Sequence, residues 1–312
     1  MDKLLNVSSN PHIRSKVTTS SIMFWVIVSL LPAAGFGVFR FGTHALLIIL
    51  TTVISACLFE FLFDLIVKKP NTLGDFSAVV TGLLLALNLP PSAPLWLGVV
   101  GSFFAIVVVK MLFGGLGQNF MNPALGARCF LLISFASIMT DFSVDGVSQA
   151  TPLAQLKAGE LVDIVSMARG NIPGTIGEIS VICILAGACI LILTNVIDII
   201  IPASYLISFV ICLGLFGGHG FDSSFIAAHL SGGGLMLGAF FMATDYATRP
   251  ITKVGQYVYG VLLGILTCVF RVFGPSAEGV SYAIIIGNLL VPLIDKFTKP
   301  RFFGKGGVRN NE

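Results

Sequence analysis

From residue 21 onward the chain is a series of continuous apolar runs joined by short polar stretches. Ten runs stand out, at approximately 21–39, 44–67, 76–89, 94–113, 120–139, 176–197, 203–216, 224–243, 254–273 and 281–294. Membrane β-barrel strands alternate apolar and polar positions, and these runs do not. A bilayer core needs about 20 apolar residues per helix, so the pattern predicts an all-α integral membrane protein with about ten transmembrane helices. Several runs are too short to cross alone. The third ends at Asn88-Leu89-Pro90-Pro91, and the eighth carries Ser231-Gly232-Gly233-Gly234 near its middle. Such interruptions predict broken helices, which are tolerated where protein encloses them.

The runs divide evenly about the longest polar stretch. The organisation read from this is a cytoplasmic segment 1–20, a first five-helix repeat 21–139, an outer loop 140–175, a second five-helix repeat 176–294 and a cytoplasmic tail 295–312. An odd number of helices per half makes the halves antiparallel, the plan of two inverted repeats. Lys110-Met111-Leu112-Phe113-Gly114 and Arg271-Val272-Phe273-Gly274 close the fourth and ninth runs in a similar way. The charges fit one orientation. With the N-terminus cytoplasmic, thirteen Lys and Arg lie inside, and only Arg40, Lys157, Arg169 and Arg271 lie outside. That bias places both termini inside the cell membrane. Met1 to Ser20 lacks the pattern of a cleaved signal peptide, so the first helix itself is expected to direct insertion.

Composition agrees with this picture and closes others. The chain of 312 residues is 55% hydrophobic and 11% charged, with a mean hydropathy of +0.96. A soluble domain carries roughly a quarter charged residues, and a disordered one combines high charge with low hydrophobicity. No basic cluster forms a nucleic-acid face. The six cysteines lie in or beside apolar runs without a C-x-x-C pair. They read as small apolar side chains, and no metal site is assigned.

Three sets of residues carry candidate chemistry. Thr151-Pro152 in the outer loop reads as a helix cap and first helical residue, and on these residues alone the reading is structural. The stretch from Phe113 through Gly114, Gly115, Asn119 and Asn122 to Pro123 has two readings. One is a site where exposed backbone and Asn side chains bind a polar ring or an ion. The other is a tight re-entrant turn. The third set is the charges within the apolar runs, each costly unless paired or facing water. Glu60 and Asp64 share a helix face near its end, where reaching toward water is expected. Arg128 lies deeper, facing either an anionic cofactor group or a carboxylate. Asp198 is expected in a tight inside turn, and Asp245 completes the set. No residue is assigned as catalytic.

Ordered motifs run nearly the length of the chain. They begin with Val7-Ser8-Ser9-Asn10-Pro11-His12 and continue through Asp75-Phe76-Ser77-Ala78 and Leu87-Asn88-Leu89-Pro90-Pro91. The stretch from Phe113 to Pro123 is followed by His229-Leu230-Ser231-Gly232-Gly233 and by Gly238 to Asp245. Pro275-Ser276-Ala277-Glu278-Gly279 and Pro292-Leu293-Ile294-Asp295 close the set. With these motifs the chain resembles the D-type subunits of Rnf complexes, the ion-translocating ferredoxin:NAD oxidoreductases. That family is related to the B-type subunits of the sodium-translocating NADH:quinone oxidoreductase. The short polar N-terminus favours the first of the two.

The resemblance implies a flavoprotein. In that family a flavin transferase attaches FMN through its phosphate to the threonine of a D-G-x-S-G-A-T motif. Asp145, Gly146, Ser148, Ala150 and Thr151 match it, and Gln149 departs from it where the family carries Gly. The resemblance also implies a second, non-covalent flavin (riboflavin), for which Gly114, Gly115, Asn119, Asn122 and Arg128 are the candidates here. The implied partners are a second FMN-bearing subunit, a peripheral NAD-binding subunit, the flavin transferase and the lipid bilayer. The implied role is electron relay between the ferredoxin side and the NAD side, coupled to Na+ or H+ movement. Two alternatives share the architecture: a solute channel or transporter without flavin, and the quinone-reducing B-type relative.

Overall fold

Thr18 starts the first helix by accepting from Ser21 N, while the Ser21 hydroxyl closes the capping box. The computed structural model describes residues 17–142, 151–157, 163, 166–167, 170, 172–274 and 279–300. Regular structure among the described residues is helical. The first half holds α1 (Thr19–Phe41), α2 (Thr43–Val67), α3 (Ser77–Leu87), α4 (Leu95–Met111) and α5 (Pro123–Ser134). The short α6 (Pro152–Lys157) follows. The second half holds α7 (Val181–Leu193), α8 (Ile200–Phe216), α9 (Ser223–Ser231), α10 (Leu235–Met242), α11 (Lys253–Phe273) and α12 (Val280–Thr298).

Each of the ten predicted runs is helical, but they differ in reach. Four helices (α1, α2, α11 and α12) are long and apolar enough to cross a membrane, and α9 with α10 makes a fifth span bent by 65°. The other five are shorter, so ten full spans are not met by length. The reason is local. Pro90 and Pro91 cannot continue α3, and the chain from Asn88 to Pro91 runs buried without regular structure. At the end of α7, Asn195 takes a left-handed conformation with φ 54°. Enclosure by neighbouring helices satisfies such backbone where lipid would not.

In the first half α3 is buried on nearly all sides, packed by α1, α2, α4 and α5. Helix α2 lies against α3 and α4, α1 against α7, and α8 against α11. The α8–α11 seam is close because Gly260 and Gly264 face it; a Cβ at either would overlap Ser204 or Ser208. Small residues at such seams let backbones approach. Outside, Phe39, Ile54, Leu65, Leu193, Ile207 and Leu215 are exposed, a surface suited to acyl chains. The protein is a multi-pass membrane protein.

The bundle has two ends. At the N-terminal end Ser20 Oγ donates to Gly74 O at 2.9 Å and Ile251 N to Asp295 Oδ1 at 3.1 Å. At the opposite end Ile176 N donates to Leu89 O at 3.1 Å and Gly177 N to Leu87 O at 2.8 Å. There Asp222 caps α9 through Ser224, and those bonds hold its carboxyl below the ordinary carboxylate range.

Candidate functional site

Thr151 stands at the opposite end, half-buried, as the residue before α6. Its Oγ1 accepts from Ala154 N at 3.4 Å, the cap expected from the sequence. Leu153, one residue into the helix beyond Pro152, is buried and lies over Gly232 and Gly233. That break between α9 and α10 has its own support. Arg271 donates to His229 O, to Gly232 O at 2.9 Å and to Gly233 O at 3.0 Å. The guanidinium thereby satisfies carbonyls that the end of α9 leaves without helical partners. Thr151 is thus fixed, through Leu153, on the broken span. Asp145, Gly146, Ser148 and Ala150 lie outside the described residues, as does Gln149.

Beneath Thr151 lies a buried ion pair. Arg128 Nη1 donates to Glu178 Oε1 at 3.2 Å and to Asn88 Oδ1 at 2.7 Å. Of the two partners expected for Arg128, the structure brings a carboxylate. Glu178 also lines a cavity of about 20 Å³ beside Thr151. Sequence reasoning passed over Glu178; a lone carboxylate at the mouth of an apolar run was the available signal.

The N-terminal end holds a cavity of about 60 Å³ lined in part by Met23, Ser77, Lys110, Asn119, Asn122 and Asp245. Asn122 caps α5, its Oδ1 accepting from Ala124 N at 3.1 Å and Leu125 N at 3.4 Å. Asn119 is 8% exposed, and its Oδ1 has no hydrogen-bond partner among the described residues. A buried amide oxygen without a partner costs about 1–3 kcal/mol, so this one fits a ligand that donates a hydrogen bond, such as a flavin ring N–H, or a cation that it would coordinate. Gly114 and Gly115 carry φ of 124° and 104° and turn the chain out of α4, but neither lines the cavity. Arg128 does not line it either. Helix α3 joins the two regions: Ser77 starts it beside this cavity and Asn88 follows its end beside Arg128, about 16 Å away by helical rise.

Three charge expectations are corrected here. Glu60 and Asp64 do not reach toward water; both are buried. Thr72 folds over them, its Oγ1 donating to Glu60 Oε1 at 2.6 Å and 2.9 Å from Asp64 Oδ2. Lys110, counted with the inside charges, is buried. Its Nζ donates to Glu60 Oε2 at 2.8 Å and Ser77 Oγ at 2.6 Å. Arg271, counted with the outside charges, is also buried. Asp198 does sit in the turn after α7, and Asp245 lies in the turn after α10.

The model of the NQR2, RnfD, RnfE family matches residues 6–304. The chain belongs to this family. It is 47% identical to the D-type subunit of the Na(+)-translocating ferredoxin:NAD(+) oxidoreductase complex of Acetobacterium woodii, over 96% of this chain and 95% of the relative. Against the D-type subunit of the proton-translocating complex of Clostridium ljungdahlii the identity is 41%, over 96% of each chain. Against the D-type subunit of the ion-translocating oxidoreductase complex of Actinobacillus succinogenes it is 35%, over 97% of this chain and 99% of the relative. In this NQR2, RnfD, RnfE family member the two regions built above, around Thr151 and around Asn119, stand at opposite ends of the bundle.

Proposed function

We propose that this chain is the flavin-bearing membrane subunit of an ion-translocating ferredoxin:NAD oxidoreductase complex. Its relatives are named as D-type subunits of such complexes, and the chain matches them nearly end to end. It works beside a second FMN-bearing subunit and a peripheral NAD-binding subunit, with Na+ or H+ movement coupled to electron passage. The membrane is the cell's inner or plasma membrane. The N-terminal end of the bundle is the cytoplasmic one, which gathers Lys68, Lys69, Lys253 and Lys296.

The architecture is read as ten crossings in two inverted five-helix repeats, 21–139 and 176–294. Three pairings support it. Helix α4 packs on α2 as α11 packs on α8, and α12 lies on α11 as α5 lies on α4. Lys110 near the end of α4 reaches the start of α3, and Arg271 near the end of α11 reaches the start of α10.

The observation that carries the flavin reading is the seat of Thr151. Thr151 is half-buried, outside the apolar spans, and anchored by Leu153 to the broken span. A transferase can reach such a hydroxyl, and Thr151 Oγ1 would hold FMN through a phosphoester. Asn119 and Asn122 would hold the second, non-covalent flavin, with Asn119 Oδ1 as the acceptor. A flavin ring supplies one- and two-electron transfer, which the side chains of this protein do not. Leu153 and Arg271 position, and the ion pair Arg128–Glu178 keeps a charged pair beneath Thr151 without exposing either partner.

The test is a denaturing gel. The chain is co-expressed with its flavin transferase, denatured in SDS and viewed under ultraviolet light, with Thr151→Ala alongside. A fluorescent band lost in Thr151→Ala is expected. No band in the wild type, with the transferase active on another target, overturns the reading in favour of a flavin-free transporter.

A further inference from the structure

Two cavities meet at Leu153 and differ in size and charge. The one that Thr151 lines, about 20 Å³, also carries the Glu178 carboxylate. It holds about one water, far too little for a flavin ring. The other, about 190 Å³, is lined by Leu156, Lys157, His219, Phe225, His229 and Arg271 besides Leu153. Among the described residues no carboxylate lines it. The short helix α6 leads to it, running about 9 Å from Thr151 to Lys157 by helical rise.

This second cavity has the chemistry of a site for a flat, electron-rich ring. His219 and Phe225 have ring centroids 4.5 Å apart, and so do Phe225 and His229. Such a wall offers planar surfaces for offset stacking. His229 is 9% exposed, and its Nδ1 has no hydrogen-bond partner among the described residues. Lys157 Nζ donates to Gly274 O, which holds the ammonium at the rim of the cavity. Leu153 and Leu156 supply the apolar remainder.

We propose that this cavity receives the isoalloxazine ring of the flavin on Thr151, and that Lys157 makes the ring easier to reduce. The proposal rests on Thr151 carrying FMN. Each electron added to a ring adds negative charge unless a proton follows. A cation at the rim therefore favours the reduced form over the oxidised one. The same cavity keeps the ring beside the broken span rather than loose in solvent.

The experiment uses the full chain co-expressed with its transferase and purified in detergent. Redox titrations and visible spectra are recorded, and those of Thr151→Ala are subtracted to isolate the covalent flavin. Lys157→Met, Lys157→Arg and Leu156→Trp are compared; these positions lie on α6, outside the apolar spans, so each variant should fold. All three should keep the fluorescent band in SDS. Lys157→Met should lose about tenfold in preference for the reduced ring, a fall of about 59 mV for a one-electron step. Lys157→Arg should stay near the wild type, and Leu156→Trp should shift the absorbance of the oxidised flavin. A retained band with wild-type potential in Lys157→Met and a wild-type spectrum in Leu156→Trp would overturn the cavity assignment while leaving the attachment intact. A wild type without a band would overturn the attachment and the cavity assignment with it.

Discussion

The entrances to α3 and α10 meet the same requirement by different chemistry. In both, one residue takes a left-handed conformation just before a buried helix, Phe76 with φ 61° and Gly234 with φ 66°. In both, a cation from near the end of another helix arrives to hold the turn. At α3 the cation is Lys110, which binds the Glu60 carboxylate and the Ser77 hydroxyl. At α10 it is Arg271, whose fork takes three carbonyls of the chain. A lysine ammonium is compact and suits a carboxylate at one point; an arginine spreads its donors in a plane. The choice of cation therefore follows what the broken turn exposes, side chain in one case and backbone in the other.

The largest effect is expected where backbone depends on one side chain. Arg271→Met leaves two buried carbonyls and one part-buried carbonyl without this donor, at about 1–3 kcal/mol for each buried one. It should abolish folded protein, read as loss of the monodisperse peak in detergent chromatography. Arg271→Lys should recover it only in part, because one ammonium cannot span the three acceptors.

Lys110→Met comes next. It leaves Glu60 buried without its ammonium, a loss of about 3–5 kcal/mol, and should lower the melting temperature in detergent. The double variant Lys110→Met with Glu60→Leu should recover most of the loss, since removing both charges removes the burial cost. A double variant as unstable as the single one would mean that Lys110 holds the turn mainly through Ser77.

The smallest pair of effects separates the two left-handed residues. Gly234→Ala combines an unfavourable φ with a Cβ that would lie 2.8 Å from Glu178 Cδ. It should lose about 1–3 kcal/mol. Phe76→Gly removes a similar strain at an exposed position and should gain about 1 kcal/mol, seen as a slightly higher melting temperature. Equal losses from both would show that the aromatic ring of Phe76, not the backbone, decides that turn.

Much of this was legible beforehand. The ten apolar runs fall where helices form, and the breaks fall at Asn88 to Pro91 and at Gly232 to Gly234, because Pro and Gly act through their own backbone geometry. The cap at Thr151 was readable for the same reason: a hydroxyl before Pro meets the free N–H groups of the next turn. The helix lengths were less legible. Hydropathy marks where apolar residues run, but not the backbone turns inside a run, such as those at Phe135 and Asn195 where α5 and α7 stop.

The charges divide most sharply. Composition and hydropathy alone required a membrane protein, and the Lys and Arg distribution alone proposed its orientation. Neither could pair Glu60 with Lys110 fifty residues away, nor Arg128 with Glu178 across the same separation. A charge in an apolar run announces that it needs a partner, since desolvation makes it costly alone. Which partner it meets depends on how helices far apart in the chain lie against one another, and that is settled only when they pack.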